Sequence, residues 1–142
     1  MREILFRGKR KDNGEWIKGY YLCIGGKYHY ILTGILDITK GFPDLVKYEV
    51  IPETIGQYIG LTDKNGKEIF EGYILKVCRG EDIEIGYVIY DERMAAYSVS
   101  VTENDCLVFI DWFIAKQEDN RVWIEVIGNI HDNPELLKEG AE

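Results

Sequence analysis

Between its apolar runs the chain places residue pairs that accept a left-handed backbone: Asn13-Gly14, Gly25-Gly26 and Asn65-Gly66. Two-residue hairpin loops need positive φ at their central positions, and Asn and Gly supply it at little steric cost. A chain punctuated in this way folds back on itself, so the flanking runs read as antiparallel strands. Ile4–Phe6 and Trp16–Ile24 flank the first pair, Tyr20–Ile24 and Lys27–Leu32 the second, Ile55–Leu61 and Ile69–Phe70 the third. A helix competes for Ile55–Leu61, but Gly56 and Gly60 disfavour it by about 1 kcal/mol each relative to Ala.

The rest of the chain follows the same pattern. Tyr48–Ile51 is a strand that Pro52 ends, and Tyr73–Cys78 and Ile83–Tyr90 are two more, with Gly86 marking a bulge in the second. Tyr97–Val101 alternates cleanly and puts Tyr97, Val99 and Val101 on one face, with Ser98 and Ser100 facing outward. Val122–Ile127 reads as a strand, and Asn133-Pro134-Glu135 offers a cap, a proline at the first helical position and an early acid, opening a short helix to about Lys138. Thr33–Pro43 reads as a loop, Leu107–Lys116 as either a strand or a short buried helix, and Gln117–Asn120 as a polar turn. The expected fold is mainly β: an N-terminal hairpin region (residues 1–52) packed on a small, partly open, SH3-like barrel (residues 53–142), closed by the short helix.

At 142 residues the chain makes one domain that buries roughly 68–70% of its unfolded surface, so it needs neither disulfide nor metal to fold. Cys23, Cys78 and Cys106 are odd in number and widely spaced, which implies free thiols. The opening residues hold no apolar run of signal-peptide length, and Cys106–Ile110, the longest apolar stretch, cannot span a bilayer. A soluble, cytoplasmic protein without membrane contact is expected. The net charge of −8 weakens non-specific attraction to nucleic acid. Arg2, Arg7, Lys9, Arg10 and Lys11, with Lys18 beyond, form the one basic concentration, which a solvated hairpin explains as readily as a phosphate-binding patch.

No residue set demands a particular chemistry. Neither serine lies in Gly-x-Ser-x-Gly, and His29 and His131 are the only partners for a Cys–His pair. Neither histidine shows metal-ligand spacing. Asp63-x-Asn65-Gly66 imitates the middle of a calcium loop, but Leu61 and Gly72 then occupy positions that need ligands. Gly56-x-x-x-Gly60 lacks the Lys-Ser/Thr continuation of a phosphate loop. The acidic pairs, such as Glu81-Asp82 and Glu103 with Asp105, sit in turn-like contexts. Glu71, between Phe70 and Gly72, is the carboxylate that stands apart.

One long segment carries a resemblance. Gly56-Gln57-Tyr58-Ile59-Gly60-Leu61-Thr62-Asp63-Lys64-Asn65-Gly66-Lys67-Glu68-Ile69-Phe70-Glu71-Gly72 is similar to the signature of the YopX-like proteins of bacteriophages and prophages. The opening Met1–Arg7, Val126-Ile127-Gly128-Asn129-Ile130 and Asn133-Pro134-Glu135-Leu136 extend the similarity over most of the chain. Members commonly carry Asp after the Glu-Gly pair, where this chain has Tyr73, so no role of that carboxylate transfers. The resemblance implies a phage or prophage origin and a small β-rich fold, and supplies no catalytic residue.

The expected function is that of a non-enzymatic phage accessory protein that binds a host or phage protein without a cofactor. The aromatic share of 13% and the missing acid–base set motivate it. Tyr58, Glu71, Tyr73 and Tyr97 are the candidate binding surface. The alternative is a nucleic-acid-binding barrel in which tyrosines stack on bases while Arg2, Arg7, Lys9, Arg10 and Lys11 hold phosphates. An enzyme with an unrecognised site is the third reading. A homo-oligomer is expected, because Tyr28–Leu32 or Tyr97–Val101 would make a poorly protected sheet edge if it lay outermost.

Overall fold

The computed structural model describes residues 3–35, 44–101, 106–109 and 121–139. Chain segments cluster into two units, residues 1–58 and 59–142, a few residues past the boundary expected at Pro52. Among the described residues there are eleven strands and one short α-helix. No described helix is long and apolar enough to cross a membrane. Residues 36–43, 102–105 and 110–120 hold most of the Thr33–Pro43 loop, the Glu103–Asp105 pair, most of Leu107–Lys116 and the 117–120 turn, and lie outside the described residues.

The first unit is an antiparallel meander. β1 (Phe6–Lys9), β2 (Trp16–Ile24), β3 (Tyr28–Ile35) and β4 (Asp44–Glu49) pair in sequence, and β1 also pairs with the start of β5 (Gly56–Thr62). Gly25 and Gly26 both have positive φ, 62° and 68°, but Lys27 joins them in a three-residue connection, one residue longer than the two-residue loop the glycine pair suggested. That loop sets Ile24 opposite Tyr28, Leu22 opposite Tyr30 and Tyr20 opposite Leu32. One face of the sheet is covered: Ile31 and Val50 are wholly buried, and Gly8 lies against Val50. Gly19 is required on this face, since a Cβ there would stand 2.2 Å from the Leu32 carbonyl oxygen. A 3-10 turn at Pro52–Thr54 opens on Pro52; its Thr54 hydroxyl accepts the Lys9 N–H at 2.9 Å and donates to the Ile51 carbonyl at 2.6 Å.

The second unit holds β6 (Glu68–Phe70) and a sheet of β7 (Tyr73–Arg79), β8 (Asp82–Asp91), β9 (Ala96–Val101), β10 (Cys106–Phe109) and β11 (Val122–Asn129), followed by α1 (Glu135–Glu139). The sheet order is β10-β9-β8-β7-β11. Ile74, Leu75 and Val77 on β7, Val88 on β8, and Val99 and Val101 on β9 are at most 1% exposed, so most of the wholly buried side chains among the described residues belong to this sheet.

The mainly β fold with a short C-terminal helix is as expected, but both sheets have open ends and neither closes into a barrel. Three local readings are corrected. Gly86 makes no bulge; it sits in register opposite Leu75, and the register slip falls between Val126 and Gly128 on β11. Tyr28–Leu32 and Tyr97–Val101 are no edges, because β3 lies between β2 and β4 and β9 between β8 and β10. Ser98 does not face outward: it is wholly buried, and its hydroxyl has no hydrogen-bond partner among the described residues. Strand β9 is covered on both faces where alternation suggested one. Replacing Ser98 with alanine removes an orphaned hydroxyl, so urea unfolding is expected to show a gain of up to about 1 kcal/mol.

Candidate functional site

The family-like segments prove to be structural joints. Asp63, 7% exposed, ends β5 and opens the turn to β6. Its Oδ1 accepts the backbone N–H groups of Asn65 and Lys67, both at 2.9 Å, and its Oδ2 accepts that of Val126 on β11, also at 2.9 Å. The Lys64 N–H donates to the Ile124 carbonyl at 3.0 Å beside it. The turn therefore occupies the outer side of β11, which ends the sheet. Burial alone would raise the Asp63 pKa. The three backbone donors, helped by the charge of Lys67, outweigh burial and hold it below the ordinary carboxylate range.

The C-terminal segment is bonded in the same inward manner. Asn129 Oδ1 accepts the N–H groups of His131 and Asp132, and Asn133 Oδ1 accepts that of Asn129. Gly128 is needed there because a Cβ would stand 2.7 Å from Asn133 Oδ1. Gly72, at φ +85°, donates its N–H to Val88 and accepts that of Ile130. Glu71 beside it is half-buried, and Tyr73 is only 6% exposed, its ring 5.7 Å from that of Phe70. Tyr73 is thus a core residue, and its place in the candidate surface is withdrawn. Tyr97 is half-buried, edge-to-face with exposed Tyr90 at 5.3 Å. Tyr58 is half-buried in the first unit, its N–H donated to Leu5.

The exposed chemistry lies on the outer face of the N-terminal sheet. Register puts Arg7 and Lys18 opposite each other, and Lys9 opposite Trp16. It places Tyr20, Leu32 and Lys47 in one row and Leu22, Tyr30 and Glu49 in the next. The Arg7 guanidinium lies 3.7 Å from the Trp16 ring centroid, and Lys47 Nζ lies 4.8 Å from that of Tyr30. Tyr20 is 64% exposed, and towards the loop Leu22, Ile24 and Tyr28 are 39%, 46% and 46% exposed.

Of the five cations expected to hold phosphates, Arg7 and Lys9 reach this face. Arg10 turns to the other side, where Asp12 takes it through two hydrogen bonds and Tyr48 stacks beneath it at 4.1 Å. Those bonds hold the Asp12 carboxyl low. Lys11 pairs with Glu49 at 3.0 Å, and Arg2 lies outside the described residues. Sequence reading missed Lys47, Trp16 and Tyr30. A two-residue Gly25-Gly26 loop would have set Leu22 opposite His29; the third loop residue, Lys27, shifts the pairing by one and brings Tyr30 to this face.

Elsewhere, Cys23 is exposed and stands opposite His29, whose Nδ1 lies 2.5 Å from the Tyr21 hydroxyl. Cys78 is buried, its thiol directed at the Gly80 and Arg121 carbonyls. Among the described residues no group of three or more His, Cys, Asp or Glu is placed to hold a metal ion.

The architecture defines a two-sheet antiparallel β protein with one aromatic, basic sheet face. The chain belongs to the YopX protein family, whose model matches residues 5–138. Among solved structures it is similar to the crystal structure of protein EF1440 from Enterococcus faecalis, at 24% identity and a TM-score of 0.60, covering 96% of this chain and 99% of that one. That likeness supports the fold. No curated protein matches the chain.

Proposed function

We propose that this protein is a non-enzymatic accessory protein of a phage or prophage, working in the cytoplasm by binding a protein partner from the host or the phage. The observation that carries the reading is the loop end of the β2–β3 hairpin. Residues 22–28 are exposed without interruption, and Leu22, Ile24 and Tyr28 share one face with no acidic residue among them. Solvated hairpins seldom present such a strip, whereas partner surfaces are built around apolar and aromatic anchors with a charged rim. Self-association through the same strip is the homo-oligomeric form of this reading.

The test compares the wild-type protein with an I24S/Y28S variant in affinity purification from induced host cells, with light scattering at tens of micromolar for self-association. Loss of two central anchors is expected to weaken the complex about 30-fold or more. A variant that retains the same partner at the same yield, and the same mass in solution, would exclude the strip as the binding surface.

A further inference from the structure

Away from the loop end, the same sheet face has a different character. The acidic excess of the chain does not extend to this unit. Residues 1–58 contain nine Lys and Arg against seven Asp and Glu, net +2, whereas residues 59–142 contain eight against eighteen, net −10. Within β1–β4 the outer face bears Arg7, Lys9, Lys18 and Lys47, and its one described carboxylate is Glu49, which faces Lys11 at 3.0 Å. The reservation that a net charge of −8 places on polyanion binding therefore does not apply to this surface.

Rings and cations alternate across it. Arg7 lies over Trp16, Lys47 over Tyr30, and Tyr20 stands exposed in the row of Leu32 and Lys47, two residues along β2 from Lys18. Cations track a phosphate backbone, rings receive unpaired bases, and an Arg or Lys seated on a ring adds to the stack. A duplex would leave the exposed ring idle, because its bases are already stacked. A second copy docked face to face would set four cations against four. We propose that the Trp16–Tyr20–Tyr30 region of this face binds single-stranded nucleic acid, with Arg7, Lys9, Lys18 and Lys47 holding phosphates and Tyr20 stacking on a base.

Fluorescence polarisation with a labelled oligothymidylate of about 20 nucleotides tests this, using the intact chain. If four phosphates are neutralised, affinity should fall about 50-fold between 50 and 200 mM salt, from the single-strand slope of about −0.7 per contact. K18E/K47E, which alters two exposed side chains, should weaken binding at least about tenfold and flatten that slope, and Tyr20→Ala should weaken it about tenfold without flattening it. I24S/Y28S should leave it unchanged, which separates this site from the protein-binding strip. Circular dichroism verifies that each variant keeps its strand content. No binding at 50 mM salt, equal binding of duplex, displacement by polyglutamate at matched charge, or indifference to K18E/K47E would each overturn the proposal; polyglutamate displacement would point to an acidic protein segment instead.

Discussion

Replacing Asp63 with alanine is expected to lower stability by about 3–5 kcal/mol in chemical denaturation, among the largest losses for any single polar residue among those described. Three backbone N–H groups lose their acceptor at once, and a hydrogen bond to a charged group contributes about 1.5–3 kcal/mol net. The Val126 donor belongs to β11, so the outer side of that strand opens as the turn loses its anchor. Asp63→Asn keeps one carbonyl oxygen but sets an amide NH2 against a donor, and should cost about 1–2 kcal/mol. Because the native pKa of Asp63 lies below the unfolded value, its contribution is fully present above the ordinary carboxylate range. It is lost as pH falls through that range toward the lower native pKa. The wild-type chain should therefore lose more stability on acidification than Asp63→Asn, so the two should converge. Parallel denaturation curves between about pH 6 and pH 3 measure it; a constant gap across that range would contradict the assignment.

Gly86→Ala is expected to cost at least about 3 kcal/mol, more than a strand glycine normally commands. Strand propensity alone favours the substitution. The new Cβ, however, would stand 2.4 Å from the Ser100 carbonyl oxygen and 2.8 Å from Val99 Cγ1. The first obstacle is backbone inside a five-stranded sheet, so relief requires β8 and β9 to separate. Gly80→Ala is the control. Gly80 has φ +72° with nothing within 4 Å of a built Cβ, so only conformational strain of about 1–2 kcal/mol is at stake. Thermal and urea denaturation of the two variants should differ accordingly, and equal losses would remove the steric explanation.

The contrast between these glycines marks what the residues disclose in one dimension. Gly14, Gly25, Gly26 and Gly66 announce their turns because the requirement is local, a sign of φ in a short loop. Gly86 has an ordinary strand conformation, and its necessity comes from a neighbour fourteen positions away, so the sequence could equally mark a bulge. Asp63 stands two residues before the Asn65-Gly66 turn, which accounts for its bonds to Asn65 and Lys67; the third bond crosses to Val126 and has no local trace. Ser98 misled for a related reason. Alternation tells which residues share a face, and it cannot tell whether the opposite face is also covered. The candidate surface fared similarly. Tyr73 looked like an available ring but belongs to the core, while Lys47 and Tyr30 became neighbours only once β3 and β4 paired.

The strand order of the second unit also has a kinetic consequence. β7, β8, β9 and β10 pair with their sequence neighbours, so each contact closes only a short loop. β11 must instead reach back to β7, where Val122 meets Arg79. Closing so long a loop costs more chain entropy than any neighbouring pairing of this sheet, so that contact is unfavourable until the local strands have paired. β11 is therefore expected to dock late, with the Asp63–Val126 bond little formed at the folding barrier, so Asp63→Ala should speed unfolding more than it slows folding. Interactions absent from a transition state act on escape from the native state. The carboxylate of Asp63 is thus expected to govern how long the folded molecule persists far more than how quickly it is made.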